Sequence, residues 1–234
     1  MKKTKPTPKS ARKPKSIATS IYFLLDRSGS MGSCITETIS GFNAYVTEME
    51  KKCKGQPVRF CLTQFDSQGI DDVFGIVKLA DVPKLTRETY QPRGGTPLYD
   101  AMGKTIHKAA GNKDGNVLFV TLTDGEENQS SEYSLQALQS LIKDKESKGW
   151  TFAHIGMGIG GWSGLQNIAQ GTQSASNILR TKTGGKGAQK AYAAMAGSTS
   201  AYMARAAKLS ISGQAIGCSV DFFAGNKDDE QDNE

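Results

Sequence analysis

The stretch Ile21 to Gly32, IYFLLDRSGSMG, constrains this chain more than any other. Five consecutive apolar residues, Ile21 to Leu25, suit a strand covered on both faces, as in a parallel sheet. The run ends in Asp26. Ser28 and Ser30 follow at two-residue intervals, with Gly29 and Gly32 free to turn the backbone sharply. One carboxylate and two hydroxyls form a hard-oxygen cluster, which is ligand chemistry for Mg2+, Mn2+ or Ca2+ and not for zinc or copper. Taken alone, the pattern describes first a Ser/Gly turn in which Asp26 caps the next helix.

Two further stretches tip that balance, GGTPLYDA from Gly94 to Ala101 and LFVTLTDG from Leu118 to Gly125. Both sit where a strand or loop meets a helix start. Together the three stretches resemble the von Willebrand factor type A domain with its metal-ion-dependent adhesion site. The match runs residue by residue through Asp26, Ser28, Ser30, Thr96 and Asp124, and the resemblance extends roughly from Thr19 to Lys208. The part from Phe152 onward is similar to small bacterial and phage-encoded members.

The resemblance implies a doubly wound α/β domain with a mostly parallel six-stranded sheet in the order 3-2-1-4-5-6. It places strands one and four side by side, so that Asp26 and Asp124 converge at their carboxyl ends, as they do where strand order reverses in such sheets. It implies Mg2+ or Mn2+ at the site, Ca2+ ranking behind them, and a partner protein whose Asp or Glu completes the coordination shell. Arg27, Met31, Arg93 and Glu126 are then expected at the rim. Gly94 and Gly95 let the backbone approach closely. Asp100 either hydrogen-bonds the neighbouring loop or favours the positive end of its own helix.

The rest of the chain reads as alternating strands and helices. A helix is expected from Gly32 or Ser33 to about Cys53, with Ile35, Ile39, Phe42, Val46 and Met49 on one face. Val58–Phe65 is a strand, and Val73–Leu79 pairs back on it as an antiparallel edge. Asp66, Ser67, Asp71 and Asp72 are read as turn residues, a second metal cluster being the alternative. Thr96 is expected to cap a helix with Pro97 at its first position, running to about Ala110. Asn116–Thr123 is the central strand that ends in Asp124. A helix over Ser134–Lys148, a strand over Trp150–Met157, a short strand over Ser176–Leu179 and a closing helix over Gly187–Ala207 complete the domain. Val220–Phe223 is apolar enough to dock.

Gly156-Met157-Gly158-Ile159-Gly160-Gly161 matches the G-x-G-x-x-G of dinucleotide sites. Such a site needs an acid about 20 residues on, and no Asp or Glu occurs between Glu146 and Asp221. The glycines are therefore read as a tight turn, with Trp162 over the sheet end. Cys34, Cys53, Cys61 and Cys218 show no zinc spacing and read as free thiols. Ser30 lies in no G-x-S-x-G elbow.

Charge is distributed unevenly. Residues 1–19 carry +7 with no acid, residues 226–234 carry −4, and the middle holds the remaining +3 of a net +6. The first segment, residues 1–19, has too little apolar surface to fold and reads as a disordered basic arm. It either touches nucleic acid or another acidic surface, or is a solvated tail. The expected layout is this arm, a domain over 20–209 and an extension over 210–234 with an acidic end. No apolar run reaches the roughly 20 residues of a membrane span, and the N-terminus lacks the apolar core of a secretory signal. The expected setting is the cytoplasm of a bacterial or phage-infected cell. The expected function is a metal-dependent protein-interaction module. The rivals are a nucleic-acid-associated scaffold working through the arm, and a metal-dependent hydrolase.

Overall fold

The computed structural model describes residues 17–111 and 115–226. Its strands are β1 (Thr19–Asp26), β2 (Val58–Asp66), β3 (Gly69–Lys78), β4 (Asn116–Thr123), β5 (Thr151–Met157) and β6 (Ile178–Thr181). Its α-helices are α1 (Ile35–Lys52), α2 (Leu98–Ala109), α3 (Leu135–Ser147), α4 (Gly158–Ala169) and α5 (Gly184–Ile211). The six strands form one sheet in the order β3-β2-β1-β4-β5-β6. Every neighbouring pair is parallel except the β2–β3 hairpin. The expected fold class and strand order therefore stand.

The apolar run of β1 follows from its central place. Ile21, Phe23 and Leu25 enter the core beneath α1 and α5, while Tyr22 and Leu24 enter the one beneath α2, α3 and α4. A strand buried on both faces cannot alternate with polar residues. Phe23 anchors the first core, with Phe42 edge-on at 5.7 Å and Tyr192 stacked at 6.2 Å. Each such fully buried ring contributes about 1.5–3 kcal/mol of transfer free energy.

Several boundaries differ from the sequence reading. Thr19, expected in the basic arm, is the first residue of β1; residues 1–16 of that arm and 227–234 of the acidic end lie outside the described residues. Strand β3 begins at Gly69, so Asp71 and Asp72 lie in the strand and not in the turn. The polar start of β3 hid it, because an edge strand needs few apolar residues. A 3-10 turn over Gly29–Cys34 precedes α1, which therefore starts later than expected. The closing helix is longer at both ends than Gly187–Ala207. Phe222 and Phe223 dock into the same core as α5, while Val220 stays 52% exposed. Asn177 holds this segment, donating to Ser219 O at 2.7 Å and accepting from Phe222 N at 2.7 Å.

Candidate metal-ion site

Three loops meet where β1 and β4 end. The first leaves β1 at Asp26, the second precedes α2, and the third leaves β4 at Asp124. Backbone bonds tie the first two: Gly29 N donates to Gly94 O at 3.0 Å and Arg93 N donates to Arg27 O at 2.9 Å. Asn128 N donates to Thr96 O at 3.1 Å and so joins the third.

Asp26 is fully buried. Its Oδ1 accepts from Ser28 N at 2.6 Å and its Oδ2 from Thr123 Oγ1 at 2.5 Å. Tyr90 donates its hydroxyl to the Asp26 carbonyl at 2.8 Å. Ser28 Oγ and Ser30 Oγ lie 3.1 Å apart, and Ser30 Oγ donates to Asp124 Oδ1 at 2.6 Å. Thr96 is buried, and a side chain at Gly125 would begin 2.9 Å from Thr96 Oγ1 and 3.6 Å from Ser30 Oγ. Gly125 thus lies against both hydroxyls, and the five residues singled out in the sequence come together.

The electrostatics favour a cation. Burial pushes the Asp26 carboxyl up to about 6, the charge on Asp124 adding to it against the bonds from Thr123 and Ser28. Burial also raises Asp124, opposed by the Ser30 hydroxyl. Among the described residues, no Lys or Arg pairs with either carboxylate. Two adjacent, uncompensated carboxylates with hydroxyl neighbours fit a hard divalent ion. Among the described residues no three His, Cys, Asp or Glu side chains gather as a metal group, so an ion here would rely on Ser and Thr oxygens.

Thr96 does not cap α2 as expected. The helix starts at Leu98, with Pro97 at the cap position and no capping side-chain bond there. The Thr96 hydroxyl is thereby left to face Gly125.

The expected rim is only partly a rim. Met31 is fully buried in the core and presents nothing to a partner. Arg27 is drawn away to Asp66, Nε to Oδ2 at 2.7 Å, and to Asp71 at 3.0 Å. Arg93 donates to the same Asp66 oxygen at 3.0 Å and keeps 43% of its side chain exposed. Gly95 N donates to Ser67 Oγ at 3.0 Å. Glu126 is exposed and accepts from Ser163 Oγ at 3.3 Å. The acids of the alternative second metal cluster are engaged otherwise: Asp66 and Asp71 hold the arginines, and Asp72 accepts from Thr63 Oγ1 and pairs with Lys108. Asp100 accepts from Ser131 N, Glu132 N and Tyr133 N at 2.8–3.0 Å, in the segment that precedes α3, while standing in the first turn of α2.

Sequence reasoning missed Thr123, and it named Asp66 as a turn residue without its hold on Arg27 and Arg93. Thr123 carries a signal, since a polar residue at the end of a buried strand invites a partner; Asp66 carries none beyond its place at the end of β2.

The glycine-rich segment after β5 serves close packing. A Cβ on Gly161 would lie 2.5 Å from Thr123 O and 3.0 Å from Asp124 Cα. Only glycine lets α4 press its first turn onto the end of β4. Arg180 lies over the Trp162 ring at 5.1 Å, at the edge beside β6.

A model of the von Willebrand factor type A domain matches residues 20–191. With this fold around it, the chain belongs to the von Willebrand factor type A domain family. Solved structures agree in fold. The vWF domain of the type V pili tip protein Mfa5 from Porphyromonas gingivalis superposes with a TM-score of 0.61 at 10% identity, covering 81% of this chain and 97% of that one. The PilB minor pilin from Streptococcus sanguinis gives 0.59 at 12% identity, covering 81% of this chain and 63% of that one. Proximal thread matrix protein 1 from the mussel byssus gives 0.56 at 17% identity, covering 79% and 46%. Identities this low carry the fold alone. A search of curated proteins found no match. No helix among the described residues is long and apolar enough to cross a membrane.

Proposed function

We propose that this domain is a protein-interaction module that holds Mg2+, or Mn2+ in its place, and through it binds an Asp or Glu carboxylate of a partner protein. The observation that carries the reading is the pair of uncompensated carboxylates, Asp26 bonded by the Ser28 amide and Asp124 by the Ser30 hydroxyl, with those two serine hydroxyls 3.1 Å apart. Asp26, Ser28, Ser30, Thr96 and Asp124 would hold the ion, whose chemistry when bound is to accept an oxygen ligand from the partner. Thr123 and the Ser28 amide orient Asp26. Asp66 draws Arg27 aside, so that its cation does not neutralise the pair. Glu126 and Arg93 remain as exposed charges beside the site that can discriminate among partners. The pilus proteins with this fold are named as tip and pilin components, which is consistent with a role in protein contact.

A peptide array tests the reading. Acid-containing peptides should retain the protein in Mg2+ and release it in EDTA, and their Asp→Asn or Glu→Gln counterparts should retain nothing. Asp26→Asn protein should bind no peptide in either buffer. Retention that ignores EDTA overturns the reading; retention instead on an oligonucleotide, lost with salt and on deleting residues 1–16, which carry all the charge of the basic arm and spare β1, assigns the interaction to that arm.

A further inference from the structure

Helix α2 starts without a cap of its own, and its first amides are satisfied by another loop. Tyr99 N donates to Glu127 Oε2 at 2.9 Å, and Asp100 N donates to Ser130 Oγ at 3.0 Å. The Ser130 hydroxyl in turn donates a hydrogen bond to Glu127 Oε2 at 2.6 Å. Glu127 Oε1 accepts from Gln129 N at 2.9 Å and from Ser130 N at 2.7 Å. Beside them, Thr96 N donates to Asn128 Oδ1 at 2.8 Å. The segment that follows Asp124 is therefore the cap of the helix that follows Thr96.

We propose that Glu127 is a positioning residue for the metal-ion site: its carboxylate fixes Thr96 and Asp124 relative to each other. The inference rests on the metal reading above and adds a residue to it. Three considerations support it. A carboxylate accepting several N–H and O–H bonds is held more firmly than a neutral acceptor. The N-terminus of α2 adds attraction for a negative charge. Mg2+ tolerates little deviation from octahedral geometry, so slack between the two loops bears directly on affinity. Glutamine at 127 has the same shape, but its NH2 group would face donors, leaving either Tyr99 N and the Ser130 hydroxyl or the 129–130 amides without an acceptor.

Glu146 supplies the control. It is a buried carboxylate that accepts from Gln173 N at 2.9 Å and Ser174 N at 2.8 Å, on α3. Neither contact involves the three loops of the site. Calorimetric titration with Mg2+ and with Mn2+ compares the full chain with Glu127→Gln, Ser130→Ala and Glu146→Gln. Affinity should fall roughly 10–100-fold in Glu127→Gln, less in Ser130→Ala, and not at all in Glu146→Gln. Ser130→Ala keeps the test open if Glu127→Gln does not fold. Hydrogen exchange in EDTA gives a second readout: residues 95–100 and 125–130 should exchange faster together in Glu127→Gln, and residues 173–176 in Glu146→Gln. Wild-type affinity in Glu127→Gln, or equal losses in Glu127→Gln and Glu146→Gln, overturns the proposal. If the wild type binds neither ion, the metal reading falls, and exchange alone decides the coupling: unchanged rates at 95–100 in Glu127→Gln overturn it.

Discussion

Ser30 Oγ donates to Asp124 Oδ1 at 2.6 Å, joining the loop after β1 to the loop after β4 across a separation of 94 residues. Strands β1 and β4 are direct neighbours, with Leu25 opposite Leu122, so a strand order set by topology becomes a local contact between two side chains. Ser30→Ala should leave the fold intact, because Ser30 is exposed and surface truncations change stability by about 0.5 kcal/mol or less. On the proposed function it should weaken Mg2+ binding in a titration, since the proposed Ser30 ligand and its hold on Asp124 are both lost.

Asp66 binds two arginines with one carboxylate oxygen while being fully buried. Asp66→Asn leaves Arg27, with only 11% of its side chain exposed, facing a neutral group. The loss should be about 2–4 kcal/mol, near the range for breaking a buried pair. Asp71→Asn removes a partner that is 60% exposed and should cost less than about 1 kcal/mol. Urea unfolding of the two variants checks the order.

Gly161 and Gly164 lie one turn apart on α4 and should respond oppositely. Alanine at 161 meets Thr123 O at 2.5 Å, whereas alanine at 164 meets nothing nearer than 3.9 Å. Gly161→Ala should destabilise by about 1–3 kcal/mol and disturb Asp124. Gly164→Ala should be neutral or gain up to about 1 kcal/mol from helix propensity. Thermal unfolding of each variant separates the two.

His154 is fully buried opposite Thr121, and neither ring nitrogen has a hydrogen-bond partner among the described residues. Burial lowers its pKa to about 4. The unfolded chain then binds the proton more readily than the folded one, so this contribution is full above about pH 6.5 and is lost as pH falls through about 4. Unfolding free energy should drop by about 2–3 kcal/mol between pH 7 and pH 4.5 from this residue. His154→Leu should flatten that limb, as read by urea unfolding at the two pH values.

The strands themselves and the oxygen cluster of Asp26, Ser28 and Ser30 are legible in the sequence for a physical reason, whereas the strand order and the addition of Thr96 and Asp124 rest on the family resemblance. Buried parallel strands write themselves as apolar runs, and the loop residues at their ends carry unusual oxygen chemistry. What stayed hidden depends on partners distant in sequence. Arg27 reads as a free rim cation until the β2–β3 turn brings Asp66 to it. Met31 reads as rim by its neighbours, yet the 3-10 turn rotates it into the core. Thr96 reads as a cap because Pro97 follows, but the cap of α2 comes from Glu127 and Ser130 in another loop. Asp71 and Asp72 read as turn because this edge strand is polar where it begins.

Direct Mg2+ titration of the EDTA-stripped protein, wild type beside Asp26→Asn, tests the central claim. The wild type should bind one ion and, at about 100 times the dissociation constant, gain roughly 2.7 kcal/mol of stability. Asp26→Asn should show neither binding nor gain. Absence of binding in the wild type, or equal binding in both proteins, would contradict the account.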